Sequence, residues 1–295
     1  MNPRIANKIA HGVIYTLVAI VIIILIFLIS YILVNGLPYV TPHFLSAPSQ
    51  VMNAGGGIRD QLFNSIYLLI LTLIISFPIA LGAGIYLSEY GSGKISGLIR
   101  TTIEVLSSLP SIIVGLFVYL LFVIRFHIGF SILSGAVALT FFNLPILTRN
   151  IEDSFQSVPN LQREAGISLG LSHWKTITGV IFPEAIPGII TGIILSSGRV
   201  FGEAAALIYT SGQSAPVVNY ADWNPFDAAS FLNPMRPAET LAVHIWKLNT
   251  EGLVPDAKQI SSGSSAILIL VILIFNISAH FLGNYLYRHI TSSSK

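Results

Sequence analysis

The chain contains no cysteine and few charged residues. The absence of cysteine excludes disulfides, thiolate metal sites, iron–sulfur clusters and cysteine nucleophiles. Asp, Glu, Lys and Arg make up 9% of the 295 residues, whereas an average soluble domain carries about 25%. So little charge cannot cover a water-facing surface, which excludes an ordinary soluble enzyme and a disordered protein. The net charge of +2 is too small to indicate a nucleic-acid partner.

Apolar residues dominate instead, at 53% of the sequence with a mean hydropathy of +0.77. Six apolar stretches are long enough to cross a bilayer, which takes about 20 residues. Because a lipid-exposed backbone must satisfy its own hydrogen bonds, each stretch is predicted to be a helix. The expected fold class is therefore an all-α integral membrane protein with six transmembrane helices. The predicted spans are Gly12–Val34, Ile66–Leu87, Ile103–Ile124, Ile128–Leu147, Ala185–Tyr209 and Ala266–Leu286.

The basic residues between the spans predict the orientation. Nine of them fall on one side of the predicted topology and five on the other. Because positive charge accumulates on the cytoplasmic side, both termini are predicted to be cytoplasmic. Residues 1–60 then form an N-terminal transmembrane helix and an external loop, residues 61–288 the main bundle, and residues 289–295 a cytoplasmic tail. The loop at about 152–182 faces the cytoplasm, and the loop from Ser211 to Ser265 is external.

Two charged residues, Arg199 and Glu203, lie deep in the fifth predicted span. A charge at the centre of a transmembrane helix costs roughly 2.5–3.5 kcal/mol, so such residues are by default functional. Residues four apart share one helix face, and an arginine lining a wet path contacts an oxyanion with two donors. Glu203 would hold Arg199 in place or balance its charge. The alternative is a structural ion pair inside the bundle. Glu104, near the cytoplasmic end of the third span, is better explained by snorkelling or by pairing with Arg100.

Sequence patterns that would indicate an ATP site, a metal site or a catalytic site are incomplete in this chain. The segment from Gly91 to Lys94 resembles a phosphate-binding loop, but Ile95 follows the lysine where Ser or Thr is required. The histidines show no metal-ligand spacing. We therefore expect no ATP site, no catalytic residues, no metal and no cofactor in this chain.

The cytoplasmic loop carries the most specific pattern. Pro159–Ser168 is predicted to form a short helix with Arg163 and Glu164 exposed, and Gly170 is predicted to end it. Ser172 is a candidate N-cap of a second short helix that leads into the fifth span at Pro183. A helix–Gly–helix element on the cytoplasmic face is a candidate docking site for a partner, and the alternative is an interfacial amphipathic helix.

This loop resembles the EAA loop of ABC-importer permeases, in which E-A-A-x-x-x-G is followed after nine residues by I-x-L-P. Glu164, Ala165, Gly170 and Pro183 match that pattern, and Gly166 replaces its second alanine. The resemblance narrows to phosphate-importer permeases of the PstA type. It rests on three further stretches, Ser108–Phe117, Asn143–Pro159 and Pro187–Ala205, and more weakly on Gly55–Asp60. The family commonly shows Arg-x-x-Gly-Glu-Thr-Ala in the fifth span, where this chain has Ala204 in place of threonine.

The resemblance implies a half-permease of an importer in the cytoplasmic membrane of a bacterium or archaeon. It would assemble with a second, PstC-like permease, a dimer of PstB-like ATPase subunits and an external PstS-like phosphate-binding protein. The loop containing Arg163, Glu164, Ala165, Gly166, Gly170 and Pro183 would seat in the ATPase, and Arg199 with Glu203 would line the phosphate path.

Three alternatives stay open at the level of the sequence. One is a permease for another oxyanion, such as phosphonate, sulfate or molybdate. The motif around Arg199 and Glu203 favours phosphate over these anions. Another is an ATP-independent secondary transporter, which usually contains an internal repeat that this chain does not show. The third is a membrane-embedded enzyme, for which no catalytic dyad or metal cluster is visible.

Overall fold

The computed structural model describes residues 3–50, 53–91, 93–214, 216–252 and 254–292. Twelve α-helices run through these residues, and π-helical turns extend the third, fifth and eighth. In chain order they are α1 Pro3–Gly36, α2 Pro42–Ser46, α3 Arg59–Ile85, α4 Lys94–Ser108, α5 Ser111–Val118, α6 Ile132–Gln156, α7 Asn160–Ser168, α8 His173–Thr176, α9 Phe182–Phe201, α10 Ala205–Ile208, α11 Leu241–Glu251 and α12 Ala257–Ser292.

Five stretches are long and apolar enough to cross a membrane, and a bent pair of helices gives up to six. They confirm the predicted first, second and sixth spans, although the helices extend beyond the predicted bounds. The sixth, α12, begins at Ala257 and continues to Ser292. It therefore includes part of the predicted tail, of which residues 293–295 lie outside the described part of the chain.

The third predicted span is wrong as a single helix. It consists of α4 and α5, whose axes are bent by 101° at the break. Pro110 lacks a backbone N–H and restricts the residue before it, and Leu109 accordingly has an extended backbone with ψ of 130°. A local proline effect therefore overrides an apolar stretch that is long enough for one straight span.

The fourth and fifth spans have different bounds from those predicted. The fourth, α6, starts at Ile132, where the Ser131 hydroxyl accepts a hydrogen bond from the Ser134 amide, and it continues to Gln156. The fifth, α9, ends at Phe201, short of the predicted Tyr209. Gly202 follows it as the C-cap, and the chain turns before the short helix α10 begins.

Helices α3, α6 and α9 pack closely and fix each other's register. A Cβ added at Gly188 would lie 2.6 Å from the Ser154 Oγ, and one added at Gly192 would lie 2.9 Å from the Asn150 Cβ. These two contacts show that α9 runs antiparallel to α6, because the residue number rises by four in α9 while it falls by four in α6. Arg199 therefore lies level with the middle of α6.

The predicted external loop from Ser211 to Ser265 contains helical structure and buried apolar residues among its described residues. It contains α11, which begins after Thr240, whose hydroxyl accepts a hydrogen bond from the Val243 amide. Leu241 and Val243 are fully buried and join the larger apolar core with residues of α3 and α12. A second core lies at the opposite end of the bundle around Ile151, Phe155 and Ile181.

Candidate functional site: a mid-depth arginine and an exposed helical loop

Arg199 lies on a face of α9 that the rest of the chain leaves open. Its guanidinium carbon is 4.1 Å from the centroid of the Phe142 ring, a distance typical of a cation–π contact. Within the described residues, no hydrogen bond or ion pair occupies its N–H groups. Stacking on one face holds the guanidinium while leaving its edge free, and that edge has the geometry to donate two hydrogen bonds to an oxyanion.

Glu203 does not share a helix face with Arg199, so this part of the prediction is wrong. The helix ends at Phe201, and Glu203 lies in the turn beyond it. Its Oε1 accepts a hydrogen bond from the Ala206 amide at 3.3 Å. Among the ion pairs of the described residues none joins Glu203 to Arg199. The i, i+4 rule fails because it holds only while the helix continues, and α9 ends before Glu203.

The open face of α9 continues from Arg199 toward the predicted cytoplasmic end. At 100° per residue, Glu184, Gly188, Thr191, Leu195 and Arg199 fall within a stripe about 80° wide. Gly188, Leu195 and Arg199 are exposed, and Glu184 and Thr191 are half-buried. We call this stripe the Arg199 face. It faces the gap between α6 and α12: a Cβ added at Gly188 would meet the Ser154 Oγ of α6, and Thr191 lies against Gly283 of α12.

The loop after α6 forms the predicted helix–Gly–helix element. Helix α7 confirms the predicted short helix, and the Ser172 hydroxyl caps α8 by accepting a hydrogen bond from the Lys175 amide. Gly170 has φ of +80°, a left-handed conformation that favours glycine at the end of a helix. Glu164 is exposed, as predicted, and so is Ala165.

Large apolar side chains are also exposed around this loop. Leu169 is 81% exposed and Leu161 is 74% exposed, and Ile167 and Trp174 are more than half exposed. Apolar side chains clustered beside an exposed carboxylate are typical of a docking surface. The sequence pattern identified Glu164 but did not identify these apolar neighbours.

Arg163 is not exposed, which contradicts the prediction for this residue. Its Nη2 lies 2.8 Å from the Glu89 Oε1, and the Glu89 side chain is only 2% exposed. The guanidinium also donates to the carbonyl oxygens of Phe155 and Val158, each at 2.6 Å. Arg163 therefore fastens the loop to the end of α3 rather than contacting a partner.

Replacing Arg163 by glutamine is expected to destabilise the protein by about 3–5 kcal/mol, because Glu89 then stays buried without its cation. The measurement is the midpoint of thermal unfolding of the purified protein. The double variant Glu89→Gln with Arg163→Gln removes the buried charge and is expected to recover part of the loss. Equal midpoints for Arg163→Gln and the unaltered protein would show that the ion pair does not support the fold.

Gly166 departs from the family pattern for a steric reason. A Cβ added there would lie 2.6 Å from the Thr176 Cγ2 and 3.0 Å from its Oγ1. Thr176 is buried, and its hydroxyl donates to the Ser172 carbonyl oxygen. The missing side chain thus lets α7 approach α8. Pro183 lies in the first turn of α9, directly after the π-helical turn Ile177–Ile181 that joins α8 to α9.

Glu104 is exposed, and it does not pair with Arg100 among the described ion pairs. The Arg100 Nη2 instead lies 2.6 Å from the buried Glu152 Oε1 of α6. This contact ties α4 to the end of α6 next to the cytoplasmic loop.

A buried polar cluster at the predicted external end was missed by the sequence reasoning. Glu239 accepts a hydrogen bond from the Gln61 Nε2 at 2.8 Å and lies 3.1 Å from the His244 Nδ1. The Arg236 Nη2 donates to the Asn64 Oδ1 at 2.7 Å. Burial alone raises the pKa of Glu239, but His244, Gln61 and Lys247 together lower that pKa below its ordinary value. The cluster fastens the long external segment to the start of α3.

A second polar contact in this region involves Tyr220. Burial and a hydrogen bond to Asp60 raise the pKa of the Tyr220 phenol above its ordinary value. The phenol donates to the Asp60 Oδ1 at 2.7 Å. This contact is a second link between the external segment and α3. Its partners are 160 residues apart in the chain, so no local sequence pattern indicates it.

A match to a known family assigns this fold and its exposed loop to a class of protein, the permease subunit of an ABC importer. The chain belongs to the family described as the binding-protein-dependent transport system inner membrane component, which matches residues 77–292. The fold is similar to that of a chain in the inward-facing MetNI methionine ABC transporter. That match has a TM-score of 0.54, covers 79% of this chain and 94% of the other, and has 17% sequence identity.

Relatives in sequence belong to the same family. The chain is 49% identical over 294 residues to the probable ABC transporter permease protein YqgI of Bacillus subtilis, covering 99% of this chain and all of that protein. It is 30% identical over 271 residues to the phosphate transport system permease protein PstA of Mycobacterium leprae, covering 85% and 89%. PstA of Xylella fastidiosa is 41% identical over 157 residues, about half of each chain. The protein is therefore a multi-pass membrane subunit of the ABC transporter family.

Proposed function

We propose that this chain is one of two permease subunits of an ATP-driven importer that carries inorganic phosphate across the cytoplasmic membrane of a bacterium or archaeon. The second subunit is a homologous, PstC-like permease. Two PstB-like ATPase subunits bind the cytoplasmic face and supply the ATP hydrolysis, and a PstS-like binding protein delivers phosphate from outside.

The observation that carries the proposal is Arg199, which lies level with the middle of α6 on the open face of α9. A permanent cation at this depth needs a functional reason, because it is expensive to insert. Its free N–H edge suits a tetrahedral oxyanion. Phosphate is favoured among oxyanions because two of the relatives are phosphate permeases by name. A single arginine binds the ion weakly enough to release it.

The loop between α6 and α9 supports the dependence on a separate ATPase. Glu164 is the exposed charged residue of α7, and the apolar side chains of Leu161, Ile167 and Leu169 surround it without cover. We propose that this surface seats in the ATPase subunit, and that ATP-driven closure of the ATPase dimer moves α7. Because Arg163 fastens α7 to the end of α3, the movement is transmitted to the bundle.

The substrate is tested by uptake of radioactive phosphate into vesicles that contain the assembled four-subunit complex, its binding protein and internal ATP. We expect uptake that unlabelled phosphate abolishes and that equal concentrations of sulfate, molybdate or a phosphonate leave nearly unchanged. A complex whose ATPase subunits cannot hydrolyse ATP serves as the control and is expected to show no uptake. Stronger competition by another oxyanion would assign the permease to that anion, and uptake by the ATPase-deficient complex would indicate a secondary transporter.

A further inference from the structure

An acidic cavity lies between α9, α12 and the turn that joins α6 to α7. Its volume is about 550 Å³. Glu184 of α9 lines one wall, His280 and Asn284 of α12 line the opposite wall, and Gln162 of α7 contributes from the loop. The described residues that line it include no lysine or arginine. Glu184 therefore gives the described part of the lining a carboxylate that no lysine or arginine of that part offsets.

Glu184 has no partner in the described part of the chain. No hydrogen bond or ion pair involves its carboxylate, although the residue is half-buried. Other half-buried or buried carboxylates of this protein do have partners: Glu89 pairs with Arg163, and Glu152 with Arg100. An acidic side chain left unpaired beside a cavity is not explained by support of the fold, because its charge is only partly solvated there.

The cavity and Arg199 belong to one continuous surface. Glu184, Gly188 and Thr191 line the cavity, and they are also members of the Arg199 face. Glu184 precedes Arg199 by 15 residues, which is about 22 Å along the helix at 1.5 Å per residue. A path that follows this face therefore passes Arg199 first and the cavity second on the way to the predicted cytoplasmic side.

We infer that this cavity is the cytoplasmic vestibule of the anion path and that Glu184 promotes release of the anion from it. The inference rests on the proposed function. Arg199 attracts the oxyanion at mid-depth, and the unpaired carboxylate repels it at the inner end. The repulsion shortens the time the anion spends near the vestibule and opposes return of anions from the cytoplasm. The charges on the two ends of the face thus hold the anion near Arg199 rather than in the vestibule, and the direction of transport comes from the ATPase cycle.

The test is equilibrium binding of radioactive phosphate to the nucleotide-free four-subunit complex in nanodiscs, without the binding protein. We expect Glu184→Gln to bind phosphate in the vestibule about threefold to tenfold more tightly, because one repelling charge is removed beside a polyvalent anion there. Arg199 lies about 22 Å away along the helix, beyond the screening length, so binding there is expected to keep its affinity. Glu184→Asp keeps the charge and is expected to bind like the unaltered complex. At about 1 M salt the gain of Glu184→Gln is expected to disappear, since the screening length falls to about 3 Å. A purely structural role would not give this salt dependence.

Two further variants make the result decisive. Asn284→Asp adds a negative charge to the same cavity and is expected to weaken binding, so the inference stays testable if Glu184→Gln does not assemble. Glu251→Gln removes an exposed charge at the end of α11 and is expected to change nothing. Unchanged or weaker binding by Glu184→Gln, or unchanged binding by Asn284→Asp, would overturn the inference.

The same assay separates this inference from the choice of substrate. If the unaltered complex binds sulfate, molybdate or a phosphonate but not phosphate, the phosphate assignment fails, and the effect of Glu184→Gln is then measured with the anion that binds. If none of these anions binds with saturation, the vestibule itself is rejected.

Discussion

Phosphate uptake is expected to fall at least about tenfold when Arg199 is replaced by glutamine, at unchanged abundance of the complex in the membrane. Glutamine keeps a polar side chain but loses the charge and the bidentate donor edge. A hydrogen bond to a charged group contributes about 1.5–3 kcal/mol, which corresponds to roughly one to two orders of magnitude in rate or affinity. The measurement is the initial rate of radioactive phosphate uptake in cells or in vesicles.

Two variants sharpen the Arg199 experiment. Arg199→Lys retains the charge but loses the flat guanidinium that stacks on Phe142, so an intermediate rate is expected. Arg125→Gln removes an exposed arginine at the end of the π-helical turn after α5, and uptake should match that of the unaltered protein. Uptake by Arg199→Gln at nearly the original rate would refute the role given to this residue.

The second large effect is expected at the cytoplasmic loop, where Glu164→Lys should abolish coupling between ATP hydrolysis and transport. The substitution reverses the exposed charge of α7 in the middle of an apolar surface. We expect uptake to fall about tenfold or more, because a like charge or an unpaired charge at a docking site costs several kcal/mol. ATP hydrolysis by the complex should no longer respond to the phosphate-loaded binding protein. Both activities are measured on the same vesicles.

Asp153→Lys is the matched control for Glu164→Lys. Asp153 is also an exposed acidic residue near this loop, but it lies in the last turn of α6, before α7. Its reversal is expected to leave stimulated hydrolysis and uptake largely intact. Transport that remains fully coupled in Glu164→Lys would count against docking through α7.

Most of the secondary structure was predictable, because a transmembrane helix can be recognised from an apolar composition over about 20 residues. The cytoplasmic loop was equally accessible, since Gly170 and Ser172 act on the backbone next to them. The break at Pro110 and the end of α9 at Gly202 were harder. Both lie inside apolar stretches, and only the local backbone decides whether a helix continues there.

The candidate site was predicted less completely than the fold. The sequence identified Arg199 as an expensive charge and Glu164 as part of a loop pattern. It paired Arg199 with Glu203 and left Arg163 exposed, and it missed Glu184 because nothing in the local pattern distinguishes that residue. A charge's partner depends on which helices meet and at what depth, and neighbours along the chain do not determine this.

By itself, then, the sequence determined that this protein is a membrane-embedded helical bundle with a charged mid-membrane residue and an exposed loop. Those properties follow from hydropathy and from backbone preferences, which act over a few residues to a few turns. Only the tertiary structure decided that Arg163 binds Glu89, that Arg199 stacks on Phe142, and that Glu239 lies in a buried polar cluster. These contacts join residues far apart in the chain, so they exist only once the helices have packed in one register.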